Sequence, residues 1–531
     1  MRAADAIAKR LYEAGCRHAF GMPGGEVLTL VDALEAAGIQ FILCKHENAA
    51  GFMAEGVWHR TGAPGVLVAT VGPGALNAVN TVANALQDRV PLIVLAGCVD
   101  ASEAHSYTHQ VLDQRAVFAP VTKATFTLDA NAAHLIADKA VGIATDGQPG
   151  PVFIDVPVQV ADAHVPDTIP ARRAHAMPTV PAPASLEAAA EWISAARRPV
   201  LIAGVDALNE GADIAGFAEA FQIPVITSYK AKGMLDERHA MALGGAGLSP
   251  LADQTLVPFV QQADLILCAG YDPIEMRPGW RNIWDAGSVR VIDISAVPNT
   301  HFMHQASMNI VGSVPATLAA LRGAATPSAE WGDAVAEAKA ALSKAFPEDE
   351  AWGPAAIIAE ARAAFPEGTL ATADSGAHRI LLSQMWRCEA PRGLMQSSAL
   401  CTMGCAVPLA MGAKLAAPDR PVVSFSGDGG MLMVAGELST AAELGLACVF
   451  IVFVDASLAL IELKQRQRQM TNHGVDFGTH DFAALGRAMG GHGVDVRSRA
   501  ELRAAISDAL EARTFTVIAA HIDRGAYDGR I

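Results

Sequence analysis

The run Ser426-Gly427-Asp428-Gly429-Gly430 combines residue types that bind phosphate groups and a divalent cation. It follows the apolar segment 421–426, which predicts a buried strand, and it precedes a helix pattern that begins near Met433. Glycines let backbone N–H groups approach a diphosphate closely, and the N-terminus of a helix adds a favourable partial charge. Taken alone, however, a Gly-Asp-Gly triplet is more often only a tight turn.

A second acidic residue, Asp455, follows the next predicted strand, 448–454. The order strand, helix, strand places the ends of both strands side by side at the carboxyl edge of a parallel sheet. We therefore predict that Asp428 and Asp455 share one metal ion, with a backbone oxygen near Ser457 as a third ligand. Carboxylate, carbonyl and phosphate oxygens suit Mg²⁺ rather than zinc.

Three blocks of alternating strand and helix patterns supply the elements that must position these residues. Short apolar strands bounded by Gly and Pro alternate with amphipathic stretches, which is typical of parallel sheets covered by helices on both faces. We predict an α/β fold of three doubly wound parallel-sheet domains, over 1–160, 185–325 and 350–525. The proline-rich segment 159–185 predicts an extended linker, and 324–350 predicts a partly helical connector.

Composition narrows the class of protein. The 531 residues are 51% hydrophobic and 18% charged with a net charge of −16, so disorder, nucleic-acid binding and attachment to anionic membranes are not expected. The sequence contains no apolar run of membrane-spanning length and no signal-peptide core. The eight cysteines stand mostly in apolar segments without a zinc-ligand pattern, so we expect a reduced, cytoplasmic protein.

Further motifs give the chain a resemblance to a known family. The Gly-Asp-Gly element, the Asp-bearing loop that follows and the order of the other motifs resemble the thiamine-diphosphate enzymes, and among them the acetolactate synthase branch. The resemblance covers essentially the whole chain. Its motifs are Phe20-Gly21-Met22-Pro23-Gly24-Gly25, His46-Glu47, Gly72-Pro73-Gly74-Ala75, the segment 150–157, Thr402-Met403-Gly404, Pro408 and Gly412-Ala413-Lys414.

The resemblance implies a pyrimidine-binding first domain, a middle domain and a diphosphate-binding third domain. It assigns Glu47 to the pyrimidine ring of thiamine diphosphate, where a carboxyl group favours the imino tautomer that removes the thiazolium C2 proton. Gln110 matches a glutamine near the reacting centre, and His109 beside it is either a proton donor or a solvated loop residue. Lys123 matches a lysine of the synthases, although a solvated surface lysine fits equally well.

The same resemblance implies which residues hold the cofactor. Met403 matches an apolar residue of the family that supports the bent shape of the cofactor. The loop 374–378 matches a family loop that contacts the diphosphate, and within it His378 is either a ligand or a structural residue. The predicted cofactor contacts are Gly72, Ser375, Gly376, His378, Met403, Gly427, Gly429 and Gly430. Active sites of the family lie between subunits, so a homodimer or homotetramer is expected.

Departures from the family pattern indicate which branch of the family the chain resembles, but they do not identify the substrate. The pair Val454-Asp455 and the segment 270–275 resemble the catabolic synthases, which bind no FAD, so FAD is not expected here. Leu458 and Ala459 replace the usual aromatic residue and glycine after the metal loop, which leaves the acceptor pocket undefined. Pyruvate-decarboxylase relatives have an acidic residue where this chain has Ile461. An apolar residue at this position favours attack of the acyl anion on a second carbonyl over protonation of that anion.

The predicted function is decarboxylation of a 2-oxo acid, with pyruvate as the first candidate, followed by transfer of the acyl anion to a carbonyl acceptor. A non-coupling 2-oxo acid decarboxylase or another carbon–carbon lyase is the alternative. A cofactor-binding homologue without turnover is disfavoured because Glu47, Asp428 and Asp455 are all present. A dehydrogenase is disfavoured because no Gly-x-Gly-x-x-Gly motif follows the early strands.

Overall fold

The computed structural model describes residues 1–167, 170, 179–208 and 211–531. Its strands form three sheets of six, and the neighbouring strands in each sheet run parallel. Helices flank each sheet, so the predicted α/β fold of three doubly wound parallel-sheet domains is confirmed. Within these described ranges, none of the helices combines the length and the apolar character needed to cross a membrane.

The first sheet carries the N-terminal part of the chain. Its strands are β1 (His18–Met22), β2 (Gln40–Leu43), β3 (Gly65–Ala69), β4 (Leu92–Cys98), β5 (Ala124–Thr127) and β6 (Val152–Pro157), in the order β2-β1-β3-β4-β6-β5. Its helices are α1 (Ala3–Glu13), α2 (Leu28–Ala36), α3 (Glu47–Thr61), α4 (Pro73–Asn77), α5 (Val79–Gln87), α6 (Gln114–Phe118), α7 (Ala133–Thr145) and α8 (Val158–Asp162). Every residue of β3 is buried, which explains its continuous apolar sequence.

The second sheet forms the middle of the chain. Its strands are β7 (Pro199–Ala203), β8 (Val225–Ser228), β9 (Ala242–Ala246), β10 (Leu265–Ala269), β11 (Arg290–Ser295) and β12 (Met308–Val311), in the order β12-β11-β10-β7-β8-β9. Its helices are α9 (Pro183–Ala195), α10 (Gly211–Phe221), α11 (Pro250–Val260), α12 (Val314–Ala324) and α13 (Ala334–Ala345). The helix predicted within the connector 324–350 is therefore present as α13.

The third sheet carries the C-terminal part. Its strands are β13 (Leu370–Ala373), β14 (Leu394–Gln396), β15 (Val422–Gly427), β16 (Val449–Val454), β17 (His492–Val496) and β18 (Thr516–His521), in the order β14-β13-β15-β16-β18-β17. Its helices are α14 (Pro354–Ala364), α15 (Ala377–Met385), α16 (Ala406–Ala416), α17 (Asp428–Val434), α18 (Glu437–Glu443), α19 (Ala459–Gln467), α20 (Phe482–Ala488) and α21 (Arg499–Glu511).

The predicted extended linker over 159–185 is wrong at both ends. Residues 168–169 and 171–178 lie outside the described part of the chain, but α8 occupies the start of the segment and α9 begins at Pro183. Proline is tolerated in the first turn of a helix, because its missing N–H has no intrahelical partner there. Pro183 therefore starts a helix instead of continuing an extended linker.

The first and third domains pack against each other through α3 and α16, with glycine on both sides. A Cβ atom at Gly412 would lie 2.0 Å from the Met53 carbonyl oxygen, and one at Gly56 would lie 2.4 Å from the Leu409 carbonyl oxygen. Phe52 on α3 is fully buried against Leu409. The two helix backbones are in direct contact, and only residues without a side chain permit this approach.

A buried ion cluster joins all three domains at Lys230. The Lys230 Nζ lies 2.8 Å from Glu55 Oε1 and 2.8 Å from Asp88 Oδ2, and it donates to the Gln396 carbonyl oxygen at 3.0 Å. Asp88 also accepts a hydrogen bond from the Ser398 N–H at 2.9 Å. Burial alone lowers the pKa of Lys230, but attraction to Asp88 and Glu55 raises it overall, so the ammonium stays charged.

Lys230→Met should lower the free energy of unfolding by about 3–5 kcal/mol, because it leaves two buried carboxylates without their cation. Chemical denaturation followed by circular dichroism measures this change. Lys9→Met alters an exposed lysine on α1 and serves as the control, with no measurable effect expected. Equal stability of the two variants would show that the cluster does not hold the domains together.

Candidate active site

The carboxyl ends of β15 and β16 bring the two predicted metal ligands together. These strands pair with Gly427 beside Phe453, so Asp428 at the start of α17 and Asp455 after β16 leave the sheet at the same edge. The Asp428 Oδ2 accepts hydrogen bonds from the backbone N–H of Asp455 at 3.1 Å and of Ala456 at 2.7 Å. The two acidic residues are therefore neighbours in space, as the strand–helix–strand pattern predicts.

Burial disfavours the ionised form of both carboxyl groups. It raises the pKa of Asp455 to about 7, with a further contribution from repulsion by Asp428, and it also raises the pKa of Asp428. Ser457 is buried beside them, and its backbone N–H donates to Asp455 Oδ1 at 3.1 Å. Two adjacent carboxylates under this repulsion form an oxygen donor set that fits a divalent cation such as Mg²⁺.

These residues line a cavity of about 130 Å³ at the carboxyl edge of the third sheet. All the predicted site residues of the third domain contribute to its wall: Ser375, Gly376, His378, Met403, Gly427, Asp428, Gly429, Gly430, Asp455 and Ser457. The rest of the wall is mainly apolar and includes Phe453, Leu458, Leu460, Ile461 and Tyr527. The structure thus brings together the residues that the sequence assigned to the diphosphate and the metal ion.

Glycines give this cavity its shape. A Cβ atom at Gly430 would lie 1.7 Å from Asp374 Oδ2, and one at Gly429 would lie 3.1 Å from Leu458 Cδ2 and 3.4 Å from Met403 Cε. Asp374 is fully buried, and burial raises the pKa of its carboxyl group to about 6. Gly427, Gly429 and Gly430 themselves line the cavity, so bare backbone faces it, which is the arrangement that lets N–H groups approach a diphosphate.

His378 lines the same cavity as a neutral ring. It stacks on Phe453 with ring centroids 5.2 Å apart and is 3% exposed. Burial, together with the nearby Arg379 guanidinium, lowers the pKa of His378 to about 3. Its Nε2 has no hydrogen-bond partner among the residues that the structure describes, so this nitrogen remains available to a bound ligand.

Glu47 is the first residue of α3 in the first domain and is 3% exposed. Its Oε2 accepts a hydrogen bond from Asn77 Nδ2 at 3.0 Å, and a Cβ atom at Gly74 would lie 3.0 Å from its Oε1. The short helix α4 therefore fixes the position of the carboxylate. Sequence reasoning missed Asn77, although it lies on the same helix as part of the motif Gly72-Pro73-Gly74-Ala75.

Gly72 has a left-handed backbone, with φ +72°, immediately before α4. Its N–H donates to Gln114 Oε1 at 2.9 Å, and Gln114 Nε2 donates to Asp155 Oδ1 at 2.8 Å and to the Gly97 carbonyl oxygen at 3.0 Å. Gln114 thus holds the loop that precedes α4. Sequence reasoning missed this residue because its partners are distant in the chain and leave no local pattern.

The remaining predicted residues of the first domain do not line the third-domain cavity of the same chain. Gln110 has a left-handed backbone with φ +58°, and its Cβ lies 3.5 Å from the position that a Cβ at Gly72 would take. His109 is exposed and packs edge-on against Tyr107, with ring centroids 6.2 Å apart. Within one chain, the cavity that holds the metal-ligand pair is therefore not lined by Glu47, Gly72, Gln110 or His109.

Lys123 lies outside the cavity and fastens a loop. Its Nζ donates to the carbonyl oxygens of Asp146 at 2.9 Å and Gln148 at 2.7 Å, between α7 and β6. Burial lowers the pKa of this half-buried ammonium. These contacts account for Lys123 as a structural residue of the first domain.

Three family models match consecutive parts of the chain. The thiamine pyrophosphate enzyme N-terminal TPP binding domain matches residues 1–117, the central domain matches 186–321, and the C-terminal TPP binding domain matches 374–520. The chain belongs to the thiamine pyrophosphate enzymes. The C-terminal match contains the cavity and both aspartates, and the N-terminal match contains Glu47.

The curated relatives of this thiamine pyrophosphate enzyme include acetolactate synthases. The acetolactate synthase of Bacillus subtilis is 31% identical, with 98% of this chain and 93% of that protein covered. The catabolic acetolactate synthase of Raoultella terrigena is 30% identical, with 98% and 95% covered. A Pseudomonas aeruginosa protein named "Probable 2-ketoarginine decarboxylase" is 31% identical, with 92% and 88% covered. The chain is a thiamine-diphosphate-dependent enzyme related to the acetolactate synthases.

Gly430→Ala should weaken the affinity for thiamine diphosphate about tenfold, because the added methyl group overlaps Asp374 Oδ2 and overpacking of this kind costs about 1–3 kcal/mol. Quenching of the protein fluorescence during titration with thiamine diphosphate and Mg²⁺ measures the affinity. Gly436→Ala is the control, since its Cβ would make an ordinary 3.5 Å contact with Lys45 Cβ. If both variants bind as tightly as the unmodified protein, the cavity does not hold the diphosphate.

Proposed function

We propose that this enzyme decarboxylates a 2-oxo acid, with pyruvate as the first candidate donor, and transfers the acyl group to a carbonyl acceptor. The observation that carries this proposal is the apolar cavity wall at Leu458, Leu460 and Ile461, beside the paired aspartates. An apolar wall offers no proton to a nucleophilic acyl carbon, which then persists long enough to attack a second carbonyl carbon. The relation to proteins named acetolactate synthases supports this class of reaction.

The third-domain residues would hold the diphosphate and its metal ion. Thiamine diphosphate, when bound, supplies the nucleophile that adds to the 2-oxo acid. The backbone of 427–430 and the neutral ring of His378 would receive the diphosphate, and Met403 would support the cofactor from the side. Asp428 and Asp455 would hold Mg²⁺, with an oxygen near Ser457 as a further ligand.

We place the complete site between two copies of the chain, in a homodimer or a homotetramer. Glu47 does not line the cavity of its own chain, so the pyrimidine half of each site would come from another copy. Both domains concerned carry exposed apolar side chains that a second copy would cover. These are Leu28, Leu43 and Leu76 in the first domain and Leu432 and Met433 in the third.

FAD has no part in the proposed reaction. In the middle domain, the loops after β7 and β10 touch directly, since a Cβ atom at Gly204 would lie 2.5 Å from Tyr271 Cα. The adjacent crevice is lined by Asp206, Asp272 and Asp293 as well as by Arg89 and Arg281, and Arg89 is already paired with Asp272, so the crevice has no excess of positive charge for a diphosphate. Both features argue against a dinucleotide at this sheet edge.

Non-coupling decarboxylation is the second candidate, and the relation to a protein named as a decarboxylase favours it. Purified protein incubated with pyruvate, thiamine diphosphate and Mg²⁺ separates the two candidates by product. Acetolactate is the expected product of the proposed transfer. Free acetaldehyde without any coupled product, both with pyruvate alone and with a second 2-oxo acid added as acceptor, would refute the transfer and leave the decarboxylase.

Glu47→Gln should reduce turnover by about 10²–10⁴-fold, the usual contribution of a group that controls proton transfer. Glutamine still accepts the hydrogen bond from Asn77 but carries no negative charge, so it cannot favour the imino form of the pyrimidine. Exchange of the C2 hydrogen of the bound cofactor with deuterium, followed by NMR, measures this step directly. Glu187→Gln, at an exposed position on α9, is the control, and an unchanged exchange rate in Glu47→Gln would contradict the assigned role.

Ile461→Glu should divert product from acetolactate to acetaldehyde, because Ile461 lines the cavity and a glutamic acid there brings a proton to the acyl carbon. We expect the acetaldehyde fraction to rise about tenfold, as measured by gas chromatography. Ile461→Gln has nearly the same shape without a transferable proton and is the matched control. The same product ratio in both variants would mean that the apolar wall does not protect the acyl carbon.

A further inference from the structure

A second cavity, of about 410 Å³, lies beside the candidate active site. The walls of the two cavities share Ser375, Gly376 and Leu460. The second cavity extends to the middle domain, which contributes Leu248 and Arg277 to its wall. We call this second cavity the vestibule, and a molecule bound in it would adjoin the reacting region.

The vestibule is lined with positive charge. Arg277, Arg379 on α15 and Lys464 on α19 contribute to its wall, and no aspartate or glutamate side chain does so in the described part of the chain, although Ile531 at the end of the sequence also lines it. Most of the remaining wall is apolar and includes Ile380 and Leu463. Like charges repel strongly beside apolar walls, where the dielectric constant is low, and a bound anion relieves this repulsion.

Arg379 is a buried cation without a charge partner in the described ranges. It is 2% exposed, and its Nη1 donates to the Ser397 carbonyl oxygen at 2.7 Å. Its Nη2 has no hydrogen-bond partner among the described residues. A buried charge is costly unless it is paired and hydrogen-bonded, so an anion at this guanidinium would remove a real penalty.

The other two cations approach the vestibule from different elements. Arg277 Nη2 lies 3.3 Å from Asp253 Oδ2, but Asp253 also accepts a hydrogen bond from Trp280 Nε1 at 2.9 Å. The Arg277 Nε makes no hydrogen bond in the ranges that the structure describes. Lys464 is exposed on α19, the helix whose start forms part of the apolar wall of the active site. A ligand in the vestibule therefore meets cations from both the middle and the third domain.

We propose that the vestibule binds an acceptor substrate with two carboxylates, such as a 2-oxo dicarboxylic acid. This inference rests on the proposed function, in which the acyl carbon of the donor forms a bond with the carbonyl carbon of an acceptor. The bond between the carboxylate and the 2-oxo carbon of the donor breaks and releases CO₂. The acceptor carbonyl oxygen takes up a proton from water and becomes a hydroxyl group, and both acceptor carboxylates stay in the product. Arg277, Arg379 and Lys464 pair with these carboxylates.

Charge and size both favour a dianion over a smaller monoanion. Arg277 already lies beside Asp253. Arg379 and Lys464 are therefore the vestibule cations without an ion-pair partner in the described ranges, and pyruvate, with one carboxylate, leaves one of them uncompensated. A cavity of about 410 Å³ is also far larger than a three-carbon acid requires. An acceptor with a guanidinium group would add a fourth positive charge and is disfavoured.

Glutarate, an unreactive dianion, and butyrate, a monoanion, test the vestibule by calorimetric titration into protein loaded with thiamine diphosphate and Mg²⁺. Glutarate should bind about tenfold more tightly, since a hydrogen bond to a charged group contributes on that order. Lys464→Met and Arg379→Met should each remove most of this preference. Arg468→Met, at an exposed position at the end of α19, is the control and should leave it unchanged. Because Lys464 is exposed, its variant decides the question even if Arg379→Met fails to fold.

Equal affinity for glutarate and butyrate in the unmodified protein would overturn the proposal. Weaker binding of thiamine diphosphate by Arg379→Met, with the glutarate preference intact, would also overturn it, because the guanidinium would then serve the diphosphate. A product assay tests the proposed transfer reaction independently of ligand binding. With pyruvate as donor, kcat/KM should be higher for 2-oxoglutarate than for 2-oxobutyrate as acceptor. A protein that prefers glutarate but couples no acceptor would support the vestibule as a dianion site and refute the transfer reaction.

Discussion

Charge compensation at Lys230 is the constraint on which the arrangement of the three domains depends. The ammonium comes from the middle domain, both carboxylates come from the first, and the Gln396 carbonyl comes from the third. A buried charge without its partner carries a large penalty, so this cluster favours domain positions that keep the three charged groups within hydrogen-bond distance. The wall of the vestibule combines residues of the middle and third domains, so its shape depends on how these two domains are arranged.

Parallel sheets explain where the chemistry is concentrated. The carboxyl ends of neighbouring strands deliver side chains that are far apart in the chain to one edge, and Asp428 and Asp455 meet there. The carboxyl edge of the first sheet does the same for Gly72, Gln114 and Asp155. The first and third sheets thus each position one group of the predicted site residues, and within a single chain the two groups do not line one cavity.

Local patterns were enough to predict the buried strands, the three α/β domains and the aspartate pair. Central strands such as β3 are apolar throughout because both faces are covered, whereas the edge strand β17 has one buried residue in five and gives a weak signal. Lys230, Gln114 and Arg379 could not be predicted, because their partners or their lack of partners depend on segments distant in the sequence. The linker prediction failed at Pro183, since a proline that starts a helix and one that prevents a helix look alike in sequence.

The contact between α3 and α16 has a consequence for synthesis of the chain. Phe52 is buried against Cys405 and Leu409, and the close backbone contact at Gly56 can form only after α16 has been synthesised. During translation, the first domain is finished long before α16 leaves the ribosome, so this apolar surface of α3 faces water for most of that time. Contacts between segments so distant in the chain form slowly, and exposed apolar surface promotes aggregation meanwhile. The helix that carries Glu47 therefore exposes apolar surface until the third domain has been synthesised.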